Sequence, residues 1–161
     1  MKLLSRDRAC GTRSGRASAV RRAALYLIIA ATGNLVWEAL QVPLYTIWWT
    51  GTRREIFIAV THCTGGDVLI GIVTLLIGAL VARIHRWRPF GFRMMLTTVV
   101  LGVAYTIFSE WLNVEVRNDW SYSALMPVLP WFGTGLAPVL QWVIVPGLAF
   151  AISGMRKGDA A

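Results

Sequence analysis

The sequence predicts an all-α, polytopic membrane protein: a bundle of four transmembrane helices with an apolar, Pro/Gly-rich outer loop or re-entrant segment between the third and fourth. Two observations carry this. Hydrophobic residues make up 56% of the 161 residues and charged residues only 15%, against roughly 45–50% and 25% in soluble domains. The apolar residues also fall in four long blocks, residues 23–49, 56–81, 92–112 and 131–152. Each block reaches the ~20 residues a helix needs to cross ~30 Å of hydrocarbon. A soluble bundle would carry charged faces every few residues, and these blocks do not.

Charge distribution orients the helices. Seven basic residues (Lys2, Arg6, Arg8, Arg13, Arg16, Arg21, Arg22) precede the first block, Arg83, Arg86, Arg88 and Arg93 lie around the second loop, and Arg156 and Lys157 follow the last block. Only Arg53, Arg54 and Arg117, of the 16 Lys and Arg, fall in the other two loops. The positive-inside rule then places both termini in the cytoplasm of a bacterial inner membrane. The net charge of +8 is thereby assigned to orientation and to anionic lipid headgroups rather than to nucleic acid.

Three segments follow: a basic cytoplasmic tail over residues 1–22, expected to be disordered, a transmembrane domain over 23–153, and a short cytoplasmic tail over 154–161. The first block is too long for a signal-peptide core and is read as a spanning helix. The "VRR" before it is read as an orienting charge cluster rather than a twin-arginine signal. Cys10 and Cys63 fall on opposite sides and are not expected to pair.

Within the blocks the polar residues repeat at helical spacing. Helix one carries Asn34, Glu38, Gln41 and Tyr45 on one face, with Glu38 ~15 Å below Trp48 at 1.5 Å per residue. Pro43 is expected to free the carbonyl of Ala39 beside Glu38. Helix two carries Cys63, Asp67, Gly71, Thr74 and Gly78, a small-residue stripe suited to close helix packing, with Asp67 ~16 Å deep. His62 is five positions from Asp67, about 140° around the helix, so it points elsewhere and sits shallower. Helix three presents Gly102, Thr106, Glu110 and Asn113. Helix four presents Gln141 between Pro138 and Pro146, which are expected to break or kink it.

These depths coincide in the outer half of the membrane, while the inner half is nearly pure Ala, Leu, Ile, Val and Gly. Trp48, Trp49, Trp111, Trp120 and Trp131 mark the outer boundary and Trp87 the inner one, as an interfacial aromatic belt. Trp37 and Trp142 lie deeper, beside Glu38 and Gln141. The loop over residues 122–138 is apolar yet broken by Pro127, Pro130, Gly133, Gly135 and Pro138. Irregular apolar backbone at membrane depth needs protein or a cavity against it, so this segment is expected to fold over the outer end, the alternative being a plain interfacial loop.

The whole chain resembles small, uncharacterised four-helix bacterial inner-membrane proteins. Locally, Glu110 and Asn113 followed by Trp120-x-Tyr122 resemble the membrane lycopene-cyclase-type carotenoid-modifying domains, which place a carboxylate at a helix end and W-x-Y shortly after. The sequence departs from them in carrying Trp37-Glu38-Ala39-Leu40 where those domains have a proline and paired acids. What the resemblance implies is a polyene or isoprenoid substrate.

The expected site is an outward-facing intramembrane polar pocket for a lipophilic small molecule. Glu38, Asp67 and Glu110 are its candidates for acid–base chemistry; Asn34, Gln41, His62, Asn113, Trp120, Tyr122 and Gln141 are candidates for binding. Three carboxyls in one apolar compartment cannot all be charged cheaply, so at least one is expected to hold its proton and to serve as a donor. Glu38, His62, Asp67 and Glu110 are legitimate zinc or iron ligands, but with one intramembrane His and no HxxxH or ExxH pair no metal or other cofactor is expected. The expected partners are the bilayer and a lipophilic ligand, with no nucleic acid. Other readings are structural packing of the polar groups, a non-catalytic partner subunit or homo-oligomer, and a small proton- or cation-coupled transporter, against which stands the apolar inner half.

Overall fold

The computed structural model describes residues 3–130 and 132–154, with side chains from residue 17 onward. Trp131 and the C-terminal segment from Met155 lie outside these residues, as do the side chains of Cys10 and the first five basic residues of the N-terminal cluster. All regular elements are helical: α1 (Leu3–Gln41), a 3-10 turn (Val42–Leu44), α2 (Ile47–Thr50), α3 (Arg53–Ile84), α4 (Phe92–Trp111) continued by a π turn (Leu112–Val116), and α5 (Leu136–Gly154). Four stretches are long and apolar enough to cross a membrane: Ala17–Leu44, Arg53–Ile84, Phe92–Val116 and Leu136–Gly154. α1 packs on α5 and α3, and α4 packs on α3 and α5, closing a ring of four.

Three boundaries differ from the sequence reading. α1 begins at Leu3, so its backbone runs through the basic segment expected to be disordered. Ala and Arg are strong helix formers, and extending an existing helix avoids the cost of nucleation. α1 ends at Gln41, because Pro43 supplies no N–H for another turn, so Tyr45 leaves the α1 face and sits in extended conformation after the 3-10 turn. α5 begins at Leu136 and is one continuous element with Pro146 inside it. Pro138 causes no break, since it occupies the first turn, where N–H groups have no intrahelical acceptor.

The start of α3 is fixed by Thr-Arg-Arg-Glu. The Thr52 hydroxyl accepts from Glu55 N at 3.3 Å, and the Glu55 carboxylate accepts from Thr52 N at 2.7 Å. This reciprocal capping box satisfies two otherwise orphan donors.

The bundle interior divides by depth. The half nearest the α3–α4 connection, expected from the sequence to be the inner one, is an apolar core of Tyr26, Ala30, Leu75, Ala82, Met94, Val145, Ala149 and Phe150. α3 and α4 touch closely there: a Cβ on Gly78 would sit 2.7 Å from the Thr98 hydroxyl and 3.4 Å from the Met94 carbonyl. The outer half buries Asn34, Glu38, Gln41, Thr106, Glu110, Asn113 and Gln141. The exterior is apolar, with Leu69, Leu76, Leu80, Ile84 and Phe92 among its exposed side chains.

Tyr26 is fully buried against Phe150, rings edge-on at 4.8 Å, and its hydroxyl has no hydrogen-bond partner among the described residues. A buried polar group left unpaired costs about 1–3 kcal/mol. Tyr26→Phe is therefore expected to raise the unfolding midpoint in detergent, by an amount corresponding to about 1 kcal/mol or more. A lowered midpoint would mean that the hydroxyl has a partner.

Candidate functional site

Three of the four spanning helices bring polar residues together around Gln141. This side chain is 1% exposed. Its Nε2 donates to Asp67 Oδ2 at 2.7 Å and to Asn34 Oδ1 at 3.2 Å, and its Oε1 accepts from Gln41 Nε2 at 3.1 Å. Gln41 Nε2 also donates to Glu38 Oε1 at 2.7 Å, while Gln41 Oε1 accepts from the Trp37 indole at 3.1 Å. Glu38 lies near enough to Asp67 to interact with it, as does the Trp142 indole. One network thus ties α1, α3 and α5, and both glutamine amides in it donate and accept. Glu38 and Asp67 are linked across the bundle through Gln41 and Gln141.

Glu110 heads a second group at the outer end of α4. The Tyr122 hydroxyl donates to Glu110 Oε2 and accepts from Gly135 N at 2.9 Å. Burial, reinforced by the Glu110 carboxyl, pushes the Tyr122 phenol above its usual range; the Tyr45 phenol is pushed up in the same way. Both hydroxyls therefore remain protonated donors at neutral pH. The buried Trp120 indole N–H lies near enough to Glu110 to interact with it, but outside hydrogen-bonding geometry.

The π turn after Trp111 was not legible in the sequence. Such turns insert one residue per turn and often occur at functional sites. Here the turn carries Asn113, whose Nδ2 donates to the Ser109 carbonyl at 2.7 Å.

The segment between α4 and α5 crosses to the end of α1. Thr46 N donates to the Ser121 carbonyl at 3.0 Å and Ser123 N to the Leu44 carbonyl at 2.9 Å, pairing Tyr45 with Tyr122 as an antiparallel bridge. A second bridge joins Val128 to Gly135, and the segment buries Met126 and Thr134. A Cβ on Gly135 would sit 2.9 Å from the Met126 sulfur and 3.2 Å from the Tyr122 ring, so a side chain there requires these neighbours to shift.

Between these groups lies a cavity of about 790 Å³. Of the sequence candidates, Glu38, Gln41, His62, Asp67, Glu110, Asn113, Trp120 and Gln141 line it. Asn34 and Tyr122 do not: Asn34 accepts from Gln141, and Tyr122 supports Glu110 from behind. His62 is exposed at the rim, and Cys63 and Asp67 on the same helix are half-buried. Tyr45, Thr106, Ser109, Arg117, Asp119 and Trp142 also line the cavity. Ser109 could have been found from sequence, since it falls on the same helical face as Thr106 and Asn113. Arg117 and Asp119 gave no such signal, because only the fold of the loop carries them to the rim.

Among the described residues, no group of three or more His, Cys, Asp or Glu side chains is arranged to hold a metal ion. No protein-family model, curated protein or solved structure matches the chain.

Proposed function

We propose that this chain is a multi-pass inner-membrane protein, with both termini cytoplasmic, whose outer-half cavity binds a lipophilic small molecule and exchanges a proton with it. The observation that carries the reading is the Glu38–Asp67 pair beside a 790 Å³ cavity, held by Gln41 and Gln141. A carboxyl pair sharing one proton offers a donor and an acceptor at one point, the requirement for general acid–base work. The polar interior and apolar exterior suit lipid as the surrounding solvent. The charge asymmetry supplies the orientation. The inner half supports the binding reading over a through-channel, since Tyr26, Leu75, Met94 and Phe150 fill it.

Native mass spectrometry of protein extracted in mild detergent is expected to show a retained lipophilic molecule. Asp67→Asn keeps an oxygen to accept from Gln141 but removes the titratable proton. It is expected to insert and fold as the parent does while losing at least tenfold in retained ligand, about 1.4 kcal/mol. Equal retention by the two proteins would return Asp67 to a packing role. A reporter fused after Lys157 is expected to be active only in its cytoplasmic form, and periplasmic activity would reject the orientation.

A further inference from the structure

α3 and α4 touch at their inner halves, where Gly78 meets Thr98 and Met94, but separate further out. Nothing lies within 4 Å of where a Cβ on Gly66 or Gly71 would sit. At that level the cavity walls include Gly66 and Ile70 of α3 and Tyr105 and Ser109 of α4. Gly66 and Tyr105 are exposed. The cavity wall between the two helices is thus open at this level and made of small and apolar side chains. A gap of this kind admits an apolar chain from the surrounding lipid.

The chemistry of the lining selects the other end of the ligand. Five carboxyls, Glu38, Glu55, Asp67, Glu110 and Asp119, border the cavity against one guanidinium, Arg117. This runs opposite to the chain's net charge of +8. The donors at the floor are already engaged within the protein: Gln41 Nε2 on Glu38 and Gln141, and Gln141 Nε2 on Asp67 and Asn34. On Glu38 and Asp67 acceptor capacity remains, each carboxylate oxygen being able to take more than one hydrogen bond. A phosphate or carboxylate head would meet like charge, whereas an ammonium brings three donors and the compensating charge that a buried carboxylate requires.

We infer that the ligand is a lipophilic amine, its ammonium on the Glu38–Asp67 pair and its apolar chain leaving between α3 and α4 past Gly66, Ile70 and Tyr105. The inference rests on the pocket reading above and narrows it to one chemical class and one route.

The test uses the full chain with Cys10→Ser in phosphatidylcholine nanodiscs, so that Cys63 on the cavity wall is its sole thiol, and follows Cys63 modification by a maleimide. Dodecylamine is expected to protect Cys63 at a concentration at least tenfold below that of dodecanol or dodecanoate. Asp67→Asn is expected to raise the half-protecting dodecylamine concentration at least tenfold. Ile70→Trp, which fills the gap, is expected to weaken dodecylamine while leaving protection by butylamine unchanged; Ser109→Leu on the opposite wall serves if that variant does not fold. Protection by dodecanol or dodecanoate at equal or lower concentration would overturn the amine assignment and leave the pocket reading standing. An unchanged dodecylamine response in a folded gap variant would overturn the lateral route. No protection by any amphiphile would overturn the inference together with the pocket reading.

Discussion

Gln141→Leu is expected to lower stability by about 2–4 kcal/mol, because it removes a buried donor to both Asp67 and Asn34 without replacing it, at about 1–3 kcal/mol per stranded group. Leu fills a similar volume, so the loss comes from hydrogen bonding rather than from a cavity. The diagnostic is a double-mutant cycle with Asp67→Leu, read by denaturant unfolding in detergent. If Gln141 acts by satisfying Asp67, the second substitution should recover part of the loss, giving a coupling of about 0.5–3 kcal/mol, as neighbours in one network do. Strict additivity would mean that the two side chains are neighbours without mutual dependence. The reported weakness of many interhelical hydrogen bonds in membranes, averaging about 0.6 kcal/mol, sets the lower bound. The effect is expected above that average because one amide serves three partners on two other helices.

The second large effect concerns Gly102 on α4. In an exposed helix interior Gly→Ala usually stabilises by about 1 kcal/mol. Here a Cβ would collide with the indole ring of Trp142, which is 3% exposed and lines the cavity. The sign is therefore expected to reverse, with Gly102→Ala costing about 1–3 kcal/mol through overpacking. Trp142→Leu in the same chain should relieve the collision and return most of the lost stability. A stabilising Gly102→Ala would show that α4 and α5 can separate at this level without cost.

What the sequence made legible follows from periodicity. Gly102, Thr106, Glu110 and Asn113 repeat at helical spacing, and all four are buried. Asn34, Glu38 and Gln41 repeat likewise and are buried together. In lipid a polar side chain gains most by turning inward, so polarity and helical phase suffice to identify the interior face. The sequence failed where backbone rather than side-chain pattern decides. The π turn at Leu112–Val116 changes the phase of the chain just beyond Glu110, and no residue type announces it. The pairing of residues 44–46 with 121–123 joins segments distant in sequence, and neither has strand periodicity. Pro138 misled for a related reason: its effect depends on whether it falls in the first turn or the interior, which only the start of α5 at Leu136 fixes.

The hub of the polar network also sits on the last of the described helices. When α1 and α3 have emerged from the ribosome, Glu38 has Gln41 beside it on its own helix, but Asp67 still lacks its donor, which is over seventy positions further along at Gln141. A chain truncated before α5 therefore leaves the Asp67 carboxyl without that donor, which is costly for a polar group in an apolar surround.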